Sequence, residues 1–333
     1  MKLLLPDEMS MITLLLKTTF LAFFIGAAGA LFMATSAHHL GLIDRPNERS
    51  SHARPVPRGG GIGILAAFVG LGGWLHLPVG FIGAGAFVSI LSLFDDRFDL
   101  SARMRFAGQF LAAVVALHAL GTINQYPWLF PLVAIFVVGS ANFYNFMDGI
   151  NGIAGVTGVV GYGLLAGFAA SRGDTVIMLF AMAVAATCLG FLPFNFPNAR
   201  VFMGDVGSVL LGFVFSLLTV ALMRSAAEFL ALVCCLFPFY ADGVTTLFIR
   251  WRDGEKLSQA HRRHLYQLLA NQMHLPHWQV TLIYGLVQLL VGLLMLAVSG
   301  SGPTTVVILF TLLSMAFLLT TIAFRRRFEP TGY

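Results

Sequence analysis

Residues 153–193 read IAGVTGVVGYGLLAGFAASRGDTVIMLFAMAVAATCLGFLP. Two apolar runs, about 153–170 and 175–193, flank the polar link Ser171-Arg172-Gly173-Asp174. Each run approaches the roughly 20 residues that cross a hydrocarbon layer of about 30 Å. Neither alternates apolar with polar residues, as a barrel strand would. Backbone groups in lipid must be satisfied within their own segment, so the runs read as helices.

The pattern extends in both directions. Similar runs lie at about 11–33, 60–77, 79–95, 104–121, 127–143, 207–223, 228–248, 278–299 and 304–324. The reading is an all-α, polytopic transmembrane bundle of about 11 spans (10–11), forming one integral-membrane domain over residues 1–333. The links after 77 and 121 are short, which predicts tight antiparallel hairpins. The first run is too long for a signal-peptide core and lacks a small-residue cleavage site. Composition agrees: 58% of residues are hydrophobic and 11% charged, against about 25% charged in soluble domains. Cys188, Cys234 and Cys235 sit inside apolar runs and read as small helix-facing residues.

Basic residues orient the bundle. Segments 34–59, 94–106, 144–152, 194–206, 249–277 and the C-terminal tail hold 16 of the 20 Lys and Arg. The opposite side holds Lys2, Arg172 and Arg224, and Lys17 lies within the first span. The positive-inside rule puts the first set in the cytoplasm. The N-terminus is then outside and the C-terminus inside. Arg325-Arg326-Arg327 reads as a membrane-edge anchor, so nucleic-acid binding is not expected.

Nearly all the reactive side chains fall on this one side, which argues against a transporter, whose site lies near mid-membrane with access from both faces. A transporter of an anionic or sugar-linked substrate is the alternative from another class.

Five cytoplasmic segments carry chemistry. Asp95-Asp96-Arg97-Phe98-Asp99 places adjacent carboxylates at a membrane edge, where they bind a hard cation such as Mg²⁺, deprotonate an acceptor, or simply pair with Arg97, Arg103 or Arg105. In Asn142-Phe-Tyr-Asn145-Phe-Met-Asp148-Gly149, helical spacing would align Asn142, Asn145 and Asp148 on one face. The asparagine amides suit a nucleobase or sugar hydroxyl; the alternative is a polar helix end. Residues 194–208 contain Asn195, Phe202, and Asp205 between two glycines before an apolar run. Asp205 can cap that helix or hold a metal there, and Phe202 can stack on a base. The loop 249–277, with Asp242 at its approach, carries His261-Arg262-Arg263-His264, phosphate-binding groups that can equally touch acidic lipid. Residues 44–61 (DRPNERSSHARPVPRGGG) offer Arg58 and other basic residues to an anionic substrate; the positive-inside rule alone also accounts for them.

Taken in order, these motifs resemble the polyprenyl-phosphate N-acetylhexosamine-1-phosphate transferase family (glycosyltransferase family 4). The resemblance runs from Asp44-Arg45-Pro46-Asn47 to His264. Its most specific pieces are Asp95-Asp96-Arg97-Phe98-Asp99, the segment from Asn142 to Gly149, and Val201-Phe-Met-Gly-Asp205-Val-Gly-Ser208. It implies a UDP-N-acetylhexosamine donor, an undecaprenyl-phosphate acceptor, Mg²⁺ (with Mn²⁺ as a substitute), and an inner-membrane enzyme with a cytoplasmic site. A homodimer is compatible with it. The resemblance makes Asp205 the principal metal ligand, and Asp95 and Asp96 flank the phosphates, with Asp95 a second candidate ligand. Asn142, Asn145, Asp148 and Asn195 are expected at nucleotide and sugar, Phe202 on uracil, and His264 at the diphosphate with His261, Arg262, Arg263 and Arg58 nearby. One departure matters. His261 stands where the family carries an acid, and Tyr266-Gln267 follow His264 where further histidines are usual. The departure favours the subgroup that starts O-antigen or similar surface glycans, with N-acetylglucosamine, N-acetylfucosamine or N-acetylquinovosamine as the sugar.

Overall fold

The computed structural model describes residues 8–46, 54–122, 127–256 and 261–328. Of the positions singled out above, Lys2, Asn47, Glu48, Arg49, Ser50, Ser51, His52 and Ala53 lie outside them.

The described chain is helical. The helices are α1 (Glu8–Leu40), α2 (Ile62–Trp74), α3 (Val79–Phe98), α4 (Ala102–Ala119), α5 (Phe130–Phe146), α6 (Ile153–Ser171) and α7 (Thr175–Asn195). Then come α8 (Asp205–Leu222), α9 (Ala226–Val233), α10 (Phe237–Arg252), α11 (Leu265–Asn271), α12 (His277–Val298) and α13 (Pro303–Phe328). Every expected span corresponds to a helix or helix pair. Among the described residues, 8 segments are long and apolar enough to cross a membrane. The helices α2 and α5 are apolar but shorter, and α4 carries Arg103 and Arg105 in its first turn. The chain is an integral membrane protein.

Two boundaries differ from expectation. The first helix continues to Leu40, because Thr35-Ser36-Ala37-His38-His39 contains no breaker before Gly41, which has φ +68°. The run 228–248 is broken by a 3₁₀ turn at Cys234–Leu236, and α10 restarts with Pro238 in its first turn. Proline has no N–H to donate there and suits a helix start. The break frees carbonyls that lipid cannot satisfy. Gln288 of α12 meets this need, donating to the Cys235 carbonyl at 2.7 Å and the Thr157 carbonyl at 3.0 Å. All three cysteines are buried and free.

The core is built around α8, whose residues are almost all buried. A helix apolar all round belongs at the centre of a bundle. It packs on α5, α3 and α6, while α1 lies along α7 and α2. Small residues set these distances, since lipid supplies no hydrophobic drive and helices must gain by close packing. A Cβ on Gly212 of α8 would lie 2.7 Å from Tyr144 Cβ and 2.8 Å from Ala141 Cα of α5. Gly212→Leu is expected to cost about 1–3 kcal/mol or more through overpacking, seen as a lower melting temperature in detergent. Gly139→Ala, where an added Cβ meets nothing within 4 Å, should melt like the parent.

At the end of the bundle that carries the motifs, β1 (Ile43–Asp44) pairs antiparallel with β2 (Val56–Pro57), Ile43 opposite Pro57. This returns the chain to the bundle and delivers Gly59-Gly60-Gly61 to the loop before α8. Gly60 and Gly61 donate to the Phe202 and Met203 carbonyls at 2.9 and 2.8 Å, and Phe202 donates to Pro57 at 2.8 Å.

Candidate active site

The adjacent carboxylates diverge, as neighbours on a helix must at 3.6 residues per turn. Asp95 ends α3: its oxygens accept from the Leu100 N–H at 2.7 Å and from Arg105 at 2.7 Å. That use locks the turn into α4. Asp96 faces the loop before α8. It pairs with Arg58 at 3.0 Å and accepts the Asp205 N–H at 3.0 Å, while Arg58 also donates to its main-chain carbonyl.

Gly204 permits that approach. Its φ is +74°, and a Cβ there would lie 2.8 Å from both Asp96 Oδ2 and Gly59 N. Asp205 then opens α8, where the helix dipole favours a carboxylate. Its Oδ2 accepts from Asn145 Nδ2 at 3.2 Å, and Ser208, one turn on, donates to Asn145 Oδ1 at 2.8 Å. Residues far apart in the chain thus form one connected group: Arg58, Asp96, Asn145, Asp205 and Ser208.

The expected alignment of Asn142, Asn145 and Asp148 holds only in part. Asn142 turns to α4, donating to Gln109 at 2.6 Å, while Asn145 faces α8. Asp148 is not on the helix, because α5 ends at Phe146 and residues 147–152 turn before α6. Its carboxylate is half-buried and, among the described residues, has no hydrogen-bond partner. Burial first, and then the charge of Asp205, push it up to about 7. Asn195 spends its amide on main chain, accepting from Gly152 at 2.7 Å and donating to Val201 at 2.9 Å. It fastens the turn after α5 to the loop before α8. Phe202 is half-buried in that loop.

The last loop docks on the Asp148 turn. Tyr266 donates to the Phe146 carbonyl at 3.1 Å, and its hydroxyl fills the space a side chain at Gly149 would need. His264 is buried, its ring stacked 5.7 Å from Tyr266 and 4.8 Å from His261. Arg262 is half-buried beside them. Arg263 is engaged by Asp253 at 2.9 Å and by Glu255. The Arg252 and Arg263 guanidiniums hold the Asp253 carboxyl below its usual range.

His261 is pushed down to about 4, by burial and then by His264 and Arg250. An unfolded histidine titrates near 6.5, so between these values the unfolded chain binds more protons, and stability falls as pH is lowered. The protein should melt at a lower temperature at pH 5 than at pH 7. His261→Gln should narrow that gap, and an unchanged gap would refute the assignment.

The donor set suits a hard divalent cation. Asp96 and Asp205 meet at the start of α8, with Arg58 paired to Asp96, and Asp148 lies near enough to feel the charge of Asp205. Among the described residues, no three His, Cys, Asp or Glu side chains form a metal cage. Mg²⁺ commonly sits on one or two carboxylates and takes its remaining ligands from substrate phosphates and water.

Several of these roles were missed by sequence reasoning. Ser208 had a usable signal, its place one helical turn after Asp205. Gln109 had none, since a lone amide in an apolar run names no partner.

A family model described as glycosyl transferase family 4 matches residues 78–223. The chain is 28% identical over 251 residues, 69% of its length and 70% of the relative's, to a Bacillus subtilis protein named "Probable undecaprenyl-phosphate N-acetylglucosaminyl 1-phosphate transferase". A Mycobacterium leprae decaprenyl-phosphate N-acetylglucosaminephosphotransferase is 28% identical over 74% of this chain and 75% of its own. A Salmonella typhi undecaprenyl-phosphate alpha-N-acetylglucosaminyl 1-phosphate transferase is 29% identical over 72% of each. The matched region spans α3 to the end of α8, the helices that carry Asp96, Asn145 and Asp205, and over it the chain is similar to glycosyl transferase family 4.

Proposed function

We propose that this protein transfers an N-acetylhexosamine-1-phosphate from a UDP-sugar to undecaprenyl phosphate, forming the lipid diphosphate sugar and UMP. The observation that carries the reading is the connected group Arg58–Asp96–Asp205–Asn145–Ser208, assembled from four separate parts of the chain at one end of a membrane bundle. The relatives' names supply the substrate class, with N-acetylglucosamine as the first sugar to test.

Both substrates are anionic, so bringing phosphate to phosphate is the barrier the site must lower. Asp205, with Asp96 or Asp148, would hold Mg²⁺, which when bound neutralises phosphate charge and stabilises the leaving UMP. Asn145 is fixed by Ser208 and Asp205 and offers an ordered amide to the donor. Arg58 sets the Asp96 carboxylate and adds positive charge at the rim. Phe202 would pack on uracil, and His264 would meet the diphosphate. An oxygen of the lipid phosphate attacks the β-phosphorus of the donor, and the bond from that phosphorus to the bridging oxygen breaks as UMP departs.

The site faces the cytoplasm of the inner membrane, where UDP-sugars are made, and the product starts an O-antigen or similar surface glycan. Membranes containing the protein should move label from UDP-N-acetylglucosamine into lipid in the presence of Mg²⁺ and undecaprenyl phosphate. UMP should drive the label back out. Failure of every UDP-N-acetylhexosamine to label lipid would refute the reading.

A further inference from the structure

Asp242 lies inside α10 with no exposed surface. A carboxylate in a membrane span is costly and marks either a function or a well-satisfied network. Here the network is unusually full. Oδ1 accepts from the Leu265 N–H at 2.9 Å and Thr246 Oγ1 at 3.0 Å, and faces His264 Nδ1 at 3.4 Å. Oδ2 accepts from the Tyr284 hydroxyl at 2.8 Å and the Tyr266 N–H at 3.3 Å. One buried carboxylate therefore grips the main chain on both sides of residue 265 and the imidazole just before it.

The ring is fixed in a second way by its stack on Tyr266. A carboxylate can only accept, so its contact with Nδ1 needs the proton on that nitrogen. The Gln267 N–H donates to the His264 carbonyl at 3.0 Å and also to the His264 side chain in a capping box, so it competes with Asp242 for the ring; the charged carboxylate makes the stronger partner and takes the Nδ1 proton. With the proton on Nδ1, the neutral ring offers Nε2 as an acceptor, and Nε2 donates to a substrate oxygen only after taking up a proton itself.

We propose that Asp242 is the positioning residue for His264: from within the bundle it sets the ring's tautomer and holds it beside the Asp148 turn. The proposal rests on the reaction given above. Replacement by asparagine keeps the size and offers an acceptor to the Leu265 N–H, but its NH₂ can turn to Nδ1. That reverses the tautomer and leaves Nε2 carrying the wrong proton state for its task.

The test is a double-mutant cycle on transfer of labelled N-acetylhexosamine-1-phosphate. Removing one preorganised stabilising group typically costs about 10²–10³-fold, a loss that labelled donor still measures. Asp242→Asn is expected to lower kcat by about 10–100-fold, the usual effect of removing a supporting partner, with KM for the UDP-sugar nearly unchanged. In a His264→Ala background the same change should have no further effect, because nothing is left to position. A loss that multiplies equally in both backgrounds, or a wild-type kcat for Asp242→Asn, overturns the proposal. If the asparagine variant fails to fold, Asp242→Glu keeps the charge, moves it by one methylene, and is read in the same cycle. Absence of transfer by the wild type would instead count against the reaction itself.

Discussion

Asp205→Asn should lower the transfer rate by about 10²–10³-fold, the scale for losing one preorganised electrostatic contact. The change removes a charge and little else. Asparagine still fits at the first position of α8, and its side-chain oxygen can still accept from Asn145. The Asp205 main-chain N–H that binds Asp96 is untouched. The variant should therefore match wild type in yield and melting temperature, which separates a chemical loss from a folding loss. Raising Mg²⁺ should recover only part of the rate, because one of the candidate hard ligands is gone. A variant retaining more than about a tenth of the wild-type rate would remove Asp205 from the metal role, since a smaller effect falls below the range for such a contact.

Gly207→Val should be nearly as damaging by a different route. A Cβ at 207 would lie 2.5 Å from Met203 Cγ and 2.8 Å from Gly61 Cα. The loop before α2 meets the first turn of α8 there, main chain against main chain, beside the Met203 side chain. Valine must push them apart, shifting the segment that delivers Arg58 to Asp96. Overpacking of this kind costs about 1–3 kcal/mol, and a displacement of about 1 Å can cost 10²-fold in rate. The expected result is a lower melting temperature together with a transfer rate down by about two orders of magnitude at saturating substrate. A variant that melts and turns over like wild type would mean that the contact between α2 and α8 does not set the site.

The two variants probe different levels of organisation, and the sequence spoke unequally about them. Asp205 between glycines before an apolar run was legible as a candidate, because the charge is out of place there. The Gly61–Gly207 approach was not: both glycines sit in glycine-rich stretches, and nothing local names their partner. The span at 228–248 shows the same limit. Its hydropathy reads as one helix, and only the Gln288 amide across the bundle makes a break at Cys234–Leu236 tolerable. Helical spacing puts Asp148 on the face of Asn142 and Asn145, but the helix ends at Phe146 and the turn begins at Met147, because Asp148-Gly149 accommodates a bend better than a further helical turn.

What the amino-acid order determined by itself is the membrane-spanning helical character and the gathering of acids, amides and basic groups into a few segments. Both follow from local physics, since a chain in lipid must close its hydrogen bonds within each segment and charged residues collect where water begins. What only the tertiary structure decided is which of two adjacent carboxylates meets Asp205, which asparagine reaches it, and that a carboxylate inside α10 faces His264. Those outcomes depend on how each helix is rotated against its neighbours, and rotation is set by packing between residues distant in the chain.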